Sequence, residues 1–366
     1  MDKEELFNIK IQGLCIEAYN AAQAHWDGIA KPLDGLGAFE DIVKKIAGIT
    51  GSADVGTGKK AVVVMCADNG IIDEGVSQSG NEVTSIVSAN MAKGIASVCR
   101  MSHIAGADVL PVDIGIKDNI EEDGLIIKKV ANGTANFAKE PAMTEDMLIK
   151  SIHTGIDIVK DCKDKGYNII ATGEMGIGNT TTSSAIVSVM LGIPASRVAG
   201  RGAGLDSEGV KRKITVIESA IKKYGLDKGT QKQSVRNIQE NTFNTLRCLG
   251  GLDIAGLTGV FIGGALYHIP VILDGLLSAA AALAADRIVP GCRNYMLASH
   301  VGKEPACNFI LEELGLEPVI NARLALGEGT GAVLLFPMLD MALEVYRENT
   351  TFNDINVIQY ERFTDI

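Results

Sequence analysis

No two of the seven cysteines stand in a C-x-x-C spacing, their number is odd, and several lie in apolar runs. A disulfide scaffold and a cysteine zinc site are therefore not expected, and the pattern points to buried thiols in a reducing, cytoplasmic compartment. Excess positive charge is also absent, with 34 Lys and Arg against 45 Asp and Glu for a net charge of -11. Nucleic-acid binders concentrate Lys and Arg, so no nucleic-acid partner is expected. The first residues, Met1 to Gln12, are charged and carry no apolar signal core. The longest uncharged apolar run, Gly256 to Leu273, is interrupted by His268-Ile269-Pro270 and rich in glycine. It reads as a buried helix followed by a buried strand, and no membrane partner is expected. The five histidines, His25, His103, His153, His268 and His300, show no metal-ligand spacing. Aromatics are scarce at 5%, and no internal repeat or low-complexity linker is evident.

The residues that are abundant suit an α/β protein: 46% are hydrophobic and 41 of the 366 are glycine. Helical periodicity runs from Leu6 to Ala30 and from Phe39 to Ile49, on either side of the break Lys31-Pro32-Leu33-Asp34-Gly35-Leu36-Gly37. Ala61 to Ala67 is apolar at every position, as a parallel strand covered on both faces should be, and ends at the turn signal Asp68-Asn69-Gly70. Helices are expected over Glu82 to Arg100, Thr144 to Lys163 with Thr144 as N-cap, Val235 to Leu246, Leu252 to Tyr267, Glu304 to Leu314 and Ala332 to Tyr346. Further strands are expected over Asp108 to Ile116, Ile126 to Val130, Tyr167 to Ala171, Pro270 to Gly275 and Asn294 to Ser299. Strands alternating with helices, with acids or glycines at their carboxyl ends, predict a doubly wound, mostly parallel, Rossmann-like sheet. The expected division is a small helical subdomain over residues 1–58, joined by part of the C-terminal segment, a large α/β domain over 59–345, and a tail over 346–366.

The chemistry concentrates in Thr172-Gly173-Glu174-Met175-Gly176-Ile177-Gly178-Asn179-Thr180-Thr181-Thr182, between a strand and an Ala/Ser/Val helix. Glycines permit a tight turn, and the free N–H groups of a helix start attract a phosphate. No Gly-Lys-Ser/Thr ends the loop, and the glycines run G-x-x-G-x-G, the wrong order for the dinucleotide fingerprint of an oxidoreductase. Spacing alone leaves a phosphate loop and a plain strand-to-helix turn equally open. Glu174 sits inside the stretch, and a second cluster, Leu326-Gly327-Glu328-Gly329-Thr330-Gly331, follows far downstream. Asp68, Asp113 and Asp274 each end a strand at the edge where such sheets bind ligands, although Asp274 has the alternative of capping the next helix.

The two glycine clusters together resemble the signature of the nicotinate-nucleotide:dimethylbenzimidazole phosphoribosyltransferases, which make the lower-ligand nucleotide of cobamides. The likeness extends through Lys31 to Gly37, Cys66-Ala67-Asp68-Asn69-Gly70, Asp73-Glu74-Gly75-Val76, Glu82-Val83-Thr84 and Leu273-Asp274-Gly275. One departure is Asn69, where members often carry His. The resemblance implies a large parallel α/β domain with a small domain built from both ends of the chain, active as a dimer. It puts the catalytic base on Glu328 and a second functional acid on Glu174. It puts the donor phosphate on Gly176, Gly178, Asn179, Thr180, Thr181 and Lys213, and the acceptor pocket on Ser79, Val87, Met175 and Leu326. Val87 and Met175 stand where enzymes dedicated to dimethylbenzimidazole carry Gln and Leu, which admits a phenolic acceptor such as phenol or p-cresol. Relatives that use phenols work as a heterodimer of two similar chains, so this chain is expected as a homodimer or as the catalytic half of such a pair. The alternative is a non-catalytic structural partner.

The implied reaction needs no cofactor and no metal, because nicotinate mononucleotide is itself a substrate. Its pyridinium is already cationic and leaves without a proton. No adjacent acidic pair followed by a Gly/Thr loop, the mark of metal-dependent pyrophosphate-donor transferases, is visible. An azole N–H or phenol O–H must instead surrender its proton to a carboxylate in a partly apolar pocket. Each of these residues also has a plainer reading. A glycine-flanked glutamate is usually a solvated turn residue, Lys213 in Lys211-Arg212-Lys213 a solvated charge, and Glu174 an acid complementing a helix dipole.

Overall fold

The structure, a computed structural model, describes residues 1–202, 204–227, 234–304 and 306–363. Ala203 between Gly202 and Gly204, Pro305 near the expected start of the Glu304 helix, and the end of the expected tail lie outside the described residues.

Helices α1 (Lys3–Phe7), α2 (Ile16–Gly28) and α3 (Ala38–Thr50) precede β1 (Lys59–Ala67). A 3-10 turn (Gly70–Glu74), α4 (Glu82–Ala92) and α5 (Ser97–Ala105) lead to β2 (Ala107–Gly115) and the short β3 (Ile126–Ile127). Helix α6 (Glu145–Asp164) returns the chain to β4 (Tyr167–Met175), which feeds α7 (Asn179–Leu191), α8 (Ala195–Val198), α9 (Ser207–Lys223), α10 (Val235–Leu249) and α11 (Leu252–Leu266). Then come β5 (Val271–Leu273), α12 (Leu276–Ile288), a 3-10 turn (Cys292–Tyr295), β6 (Met296–Ala298), α13 (Ala306–Leu314) and α14 (Thr330–Glu348).

The described strands form one sheet in the order β3-β2-β1-β4-β5-β6, and every pairing is parallel. The chain winds outward from β1 in one direction and from β4 in the other, so the winding reverses between those two strands. In open α/β sheets a crevice opens at the carboxyl ends of the strands at such a reversal. Register places Met65 beside Glu174 and Cys66 beside Met175 there.

Alternation along β1 explains why the strand is apolar throughout. Ala61, Val63, Met65 and Ala67 enter one core with α6, α7, α11 and α12, while Val62, Val64 and Cys66 enter a second core with α3, α5 and α14. The apolar run from Gly256 divides as expected into α11, buried through Ala265, and the buried β5. Among the described residues no helix is long and apolar enough to cross a membrane. Trp26 of α2 is buried edge-on to Tyr346 of α14, and an antiparallel bridge joins Ile29 to Thr351. The N-terminal helices are thereby tied to the C-terminal segment.

Several boundaries differ from the periodicity. The expected helix over Leu6 to Ala30 is two helices, because Cys15 turns aside to donate its N–H to Gly48 O at 2.8 Å. The expected helix over Glu82 to Arg100 is also two. Gly94 takes a left-handed φ of 73°, and the N–H groups of Gly94 and Ile95 close on Met91 O and Asn90 O. That is a Schellman stop, and it gives the chain a fresh helix N-terminus at Ser97. Strand β4 runs on past the expected Ala171 through Thr172-Gly173-Glu174-Met175, and α7 starts at Asn179. The glycine-rich turn between strand and helix is therefore three residues long, Gly176 to Gly178. Thr144 caps α6 as expected, its Oγ1 accepting the Met147 N–H at 3.1 Å.

Candidate active site

A cavity of about 310 Å³ lies at the carboxyl edge of the sheet, within the size range of small-molecule sites. It is lined by the end of β4, the first turn of α7, one face of α4, the start of α12, and the loops around His300 and Leu326.

One end holds a cation. Lys213 on α9 is fully buried, and its Nζ donates to Thr180 Oγ1 at 3.0 Å and to Gly200 O at 3.4 Å. Burial holds its pKa down at about 8, and the charge of Glu304 works the other way. No described carboxylate forms an ion pair with it, unlike Lys31 with Glu40 or Lys60 with Asp340. Gly202 lets the chain pass over this corner, where a Cβ would stand 2.5 Å from Thr180 Oγ1 and 3.5 Å from Lys213 Nζ. A buried ammonium beside a hydroxyl and a helix start is a site for an anion.

The opposite end holds acids. Glu328 sits between two glycines, and Gly327, Glu328 and Gly329 take φ of 86°, 62° and 93°. Left-handed backbone at three successive residues explains the glycines, and a glutamate there is strained, as residues at functional sites often are. Its Oε2 accepts the N–H of Val98 at 3.1 Å, in the first turn of α5. Burial raises its pKa above the usual carboxylate range, the Val98 and Ser97 amides oppose this, and the charge of Asp274 adds to it. Backbone contact fixes the turn to β4, since a Cβ on Gly173 would lie 2.4 Å from Glu328 O.

Glu174 forms the floor. Burial raises its pKa to about 8, the Asn179 amide partly offsets that, and the charges of Asp253, Asp274 and Glu328 reinforce it. Asn179 Nδ2 donates to Glu174 Oε2 at 2.5 Å and to Asp253 Oδ2 at 3.0 Å. Val83, Val87, Met175, Ile177, Leu324 and Leu326 supply apolar wall. Two charged ends and an apolar middle can hold an anionic sugar donor and a flat acceptor side by side, with a base beside the acceptor.

The phosphoribosyltransferase family DBI_PRT matches residues 11–357. The chain belongs to that family.

The nicotinate-nucleotide–dimethylbenzimidazole phosphoribosyltransferase of Ruminiclostridium cellulolyticum is 44% identical over 361 residues, covering 99% of both chains. The protein of the same name from Clostridium acetobutylicum is 43% identical over 351 residues, covering 96% of this chain and 97% of its own. The crystal structure of CobT from Thermus thermophilus superposes with a TM-score of 0.86 at 32% identity, covering 94% of this chain and all, 100%, of that one. The chain is thus a phosphoribosyltransferase with the doubly wound fold expected of it.

Within this transferase the cavity gathers Glu174, Met175, Gly176, Asn179, Thr180, Asp274, Leu326, Glu328 and Val87, and Lys213 reaches it through Thr180. It does not gather every residue that the resemblance proposed. Ser79 lies outside the lining, with its N–H on Ser77 Oγ. Gly178 acts as the left-handed N-cap of α7, and Thr181 is buried behind it. Asp68 is turned to the Lys117 N–H at 2.7 Å, and Asp113 to the Ile116 N–H at 2.9 Å and the Lys129 ammonium. Asp274 caps α14 through the Ala332 N–H at 3.0 Å, not the helix that follows it. Lys213 is buried, against the plain reading of a solvated charge.

Two lining or supporting residues were missed. His300, at the end of β6, borders the cavity with its Nδ1 3.0 Å from Ser299 Oγ. Asp253, buried in the first turn of α11, supports the floor. Its signal was in plain view, as the single acid in an otherwise apolar helix. Among the described residues no three His, Cys, Asp or Glu side chains converge as metal ligands.

Proposed function

We propose that the enzyme moves the 5-phosphoribosyl group of nicotinate mononucleotide to a cobamide lower-ligand base, 5,6-dimethylbenzimidazole or a phenol, and releases nicotinate. The donor phosphate sits at Lys213, Thr180 and the α7 N-terminus, where a dianion supplies the counter-charge that the buried ammonium lacks. That orientation puts the ribosyl C1 over the floor and the acceptor against Val87, Met175 and Leu326. The acceptor nitrogen or oxygen bonds to C1 as the C1–N bond to nicotinate breaks. The bonding pair neutralises the pyridinium, and the acceptor proton passes to Glu328.

The observation that supports this reading is the placement of Glu328. Its burial makes it a stronger base than an ordinary carboxylate, while the α5 amides hold its direction. A Glu328→Gln variant keeps the shape and loses the base, so kcat should fall by about 10²–10⁴-fold with the donor KM little changed. Near-normal turnover in that variant sinks the assignment. Competition between dimethylbenzimidazole, phenol and p-cresol over the purified chain tests the acceptor. Val87 and Met175 together predict measurable phenol transfer, and reaction with benzimidazoles alone removes that part.

The same assay, run with and without a similar partner chain, separates a catalytic subunit from a structural one. We also propose that the chain works as a dimer, as the family resemblance implies.

A further inference from the structure

Asp253 does not itself line the cavity but stands directly behind Asn179, which does, and the structure makes room for it on two sides. A Cβ on Gly176 would lie 2.7 Å from its Oδ2, and a Cβ on Gly251 would lie 2.3 Å from its Oδ1. Gly176 of the phosphate-loop signature thus leaves room for this carboxylate as well as for Ala67 O, which would stand 2.3 Å from the same Cβ. Asp253 Oδ1 accepts the Ile254 N–H at 2.9 Å, and its Oδ2 accepts from Asn179. Glu174, by contrast, accepts from Asn179 alone among the described residues. One carboxamide therefore spends its N–H bonds on two acids, Asp253 fully buried and Glu174 half-buried at the cavity floor. The cations that neutralise other buried acids here, Arg293 for Asp286 and Lys129 for Asp113, have no described counterpart beside this pair.

We propose that Asp253 is a positioning residue for the transfer reaction: through Asn179 it fixes Glu174 at the cavity floor and makes the two acids share one proton, carried by Glu174. Two carboxylates bridged by one amide with no cation beside them cannot both ionise cheaply, and the one with more donors keeps the charge. Among the described residues Asp253 accepts two hydrogen bonds and Glu174 one, in line with values of about 6 and about 8. The charged groups facing the pair are Asp274 beyond β5 and Glu328 before α14, both negative, so they also favour the proton on Glu174. A neutral Glu174 leaves Glu328 as the anion that meets the acceptor, and it offers the substrates a hydrogen-bond donor rather than a second negative charge.

The inference rests on the cavity being the transfer site, and turnover by the wild-type enzyme tests that separately. Its own test is the pH dependence of kcat in Asp253→Asn, Asp253→Glu and Glu174→Gln enzymes. The wild type should lose activity on the alkaline side near pH 8, as Glu174 ionises. Asp253→Asn removes the charge that keeps the proton on Glu174. Its alkaline limb should move down by about one unit, which is roughly a tenfold loss at a fixed pH on that limb, with the donor KM within about twofold because the Lys213 end is untouched. Asp253→Glu should restore the limb.

Glu174→Gln imitates the protonated acid. It should keep turnover within roughly tenfold of wild type near neutrality and show no alkaline limb of this origin. It also decides the matter if Asp253→Asn fails to fold. An Asp253→Asn profile that superimposes on wild type, a uniform loss at all pH values, or a Glu174→Gln enzyme inactive throughout overturns the proposal.

Discussion

The two ends of the cavity handle buried charge in opposite ways. At the Lys213 end a cation is sealed among a hydroxyl and a carbonyl with no described carboxylate to pair with. At the Glu174 end acids crowd together with no described cation among them. Neither arrangement stabilises an empty protein, since burying a charge without its partner costs several kcal/mol. The first end waits for charge that a ligand brings, while the second reduces its charge by holding a proton. The difference matches a reaction whose donor carries a phosphate and whose acceptor sheds a proton.

The contrast can be broken most severely at Lys213. A Lys213→Met enzyme should lose donor affinity by about a hundredfold or more, because the phosphate loses its buried partner. The same change should raise the melting temperature of the empty enzyme by a few degrees, since up to about 3 kcal/mol of charge burial disappears. The sign follows from linkage. The folded-state pKa of Lys213 lies at about 8, below the ordinary 10.5, so the penalty is full below pH 8 and fades as pH rises towards 10.5. Steady-state kinetics and thermal melts check both halves. A variant that binds donor normally, or melts lower, removes the cation end from the comparison.

The acid end is held by contact between β4 and the Gly327–Gly329 turn, and Gly173→Ala attacks that contact. The added Cβ meets Glu328 O at 2.4 Å, so the turn must shift and carry Glu328, the proposed base, with it. A misplacement near 1 Å costs about a hundredfold in kcat. Donor KM should hold, because Lys213 and Thr180 are untouched. Equal changes in kcat and KM count against a local effect.

The mildest test reads stability alone. Glu174 binds its proton more tightly folded, with a pKa of about 8 against an ordinary 4.5. Over that window the folded state holds more protons than the unfolded, so stability falls as pH rises from about 4.5 to 8. Glu174→Gln should flatten that slope in denaturant titrations at several pH values. An unchanged slope assigns it to other groups.

Much of this contrast was legible in the sequence, and the exceptions have physical causes. The strand–turn–helix around Gly176 and the Gly-Glu-Gly turn were visible because tight backbone leaves glycine as its trace. Lys213 read as a solvated residue because helix periodicity does not reveal which neighbours later close over it. Asp253 stood as the one acid of a hydrophobic helix, and the apolar pattern around it outweighed that signal. The break at Gly94 was missed because a single glycine is tolerated inside a helical pattern. Here it was the informative one. Without the stop at Gly94 there is no α5 N-terminus at Ser97, and the amides that aim Glu328 would be tied up inside a continuous helix.

The contact between Gly173 and Glu328 also couples two walls of the site. The floor acid and the base turn are in backbone contact, with Glu328 left-handed between left-handed glycines, so these two walls travel as one block. Leu326, the residue before that block, lines the same cavity and is more than half exposed at 56%. A side chain added at Gly173 or at Gly329 would therefore be felt on the floor and at Glu328 together.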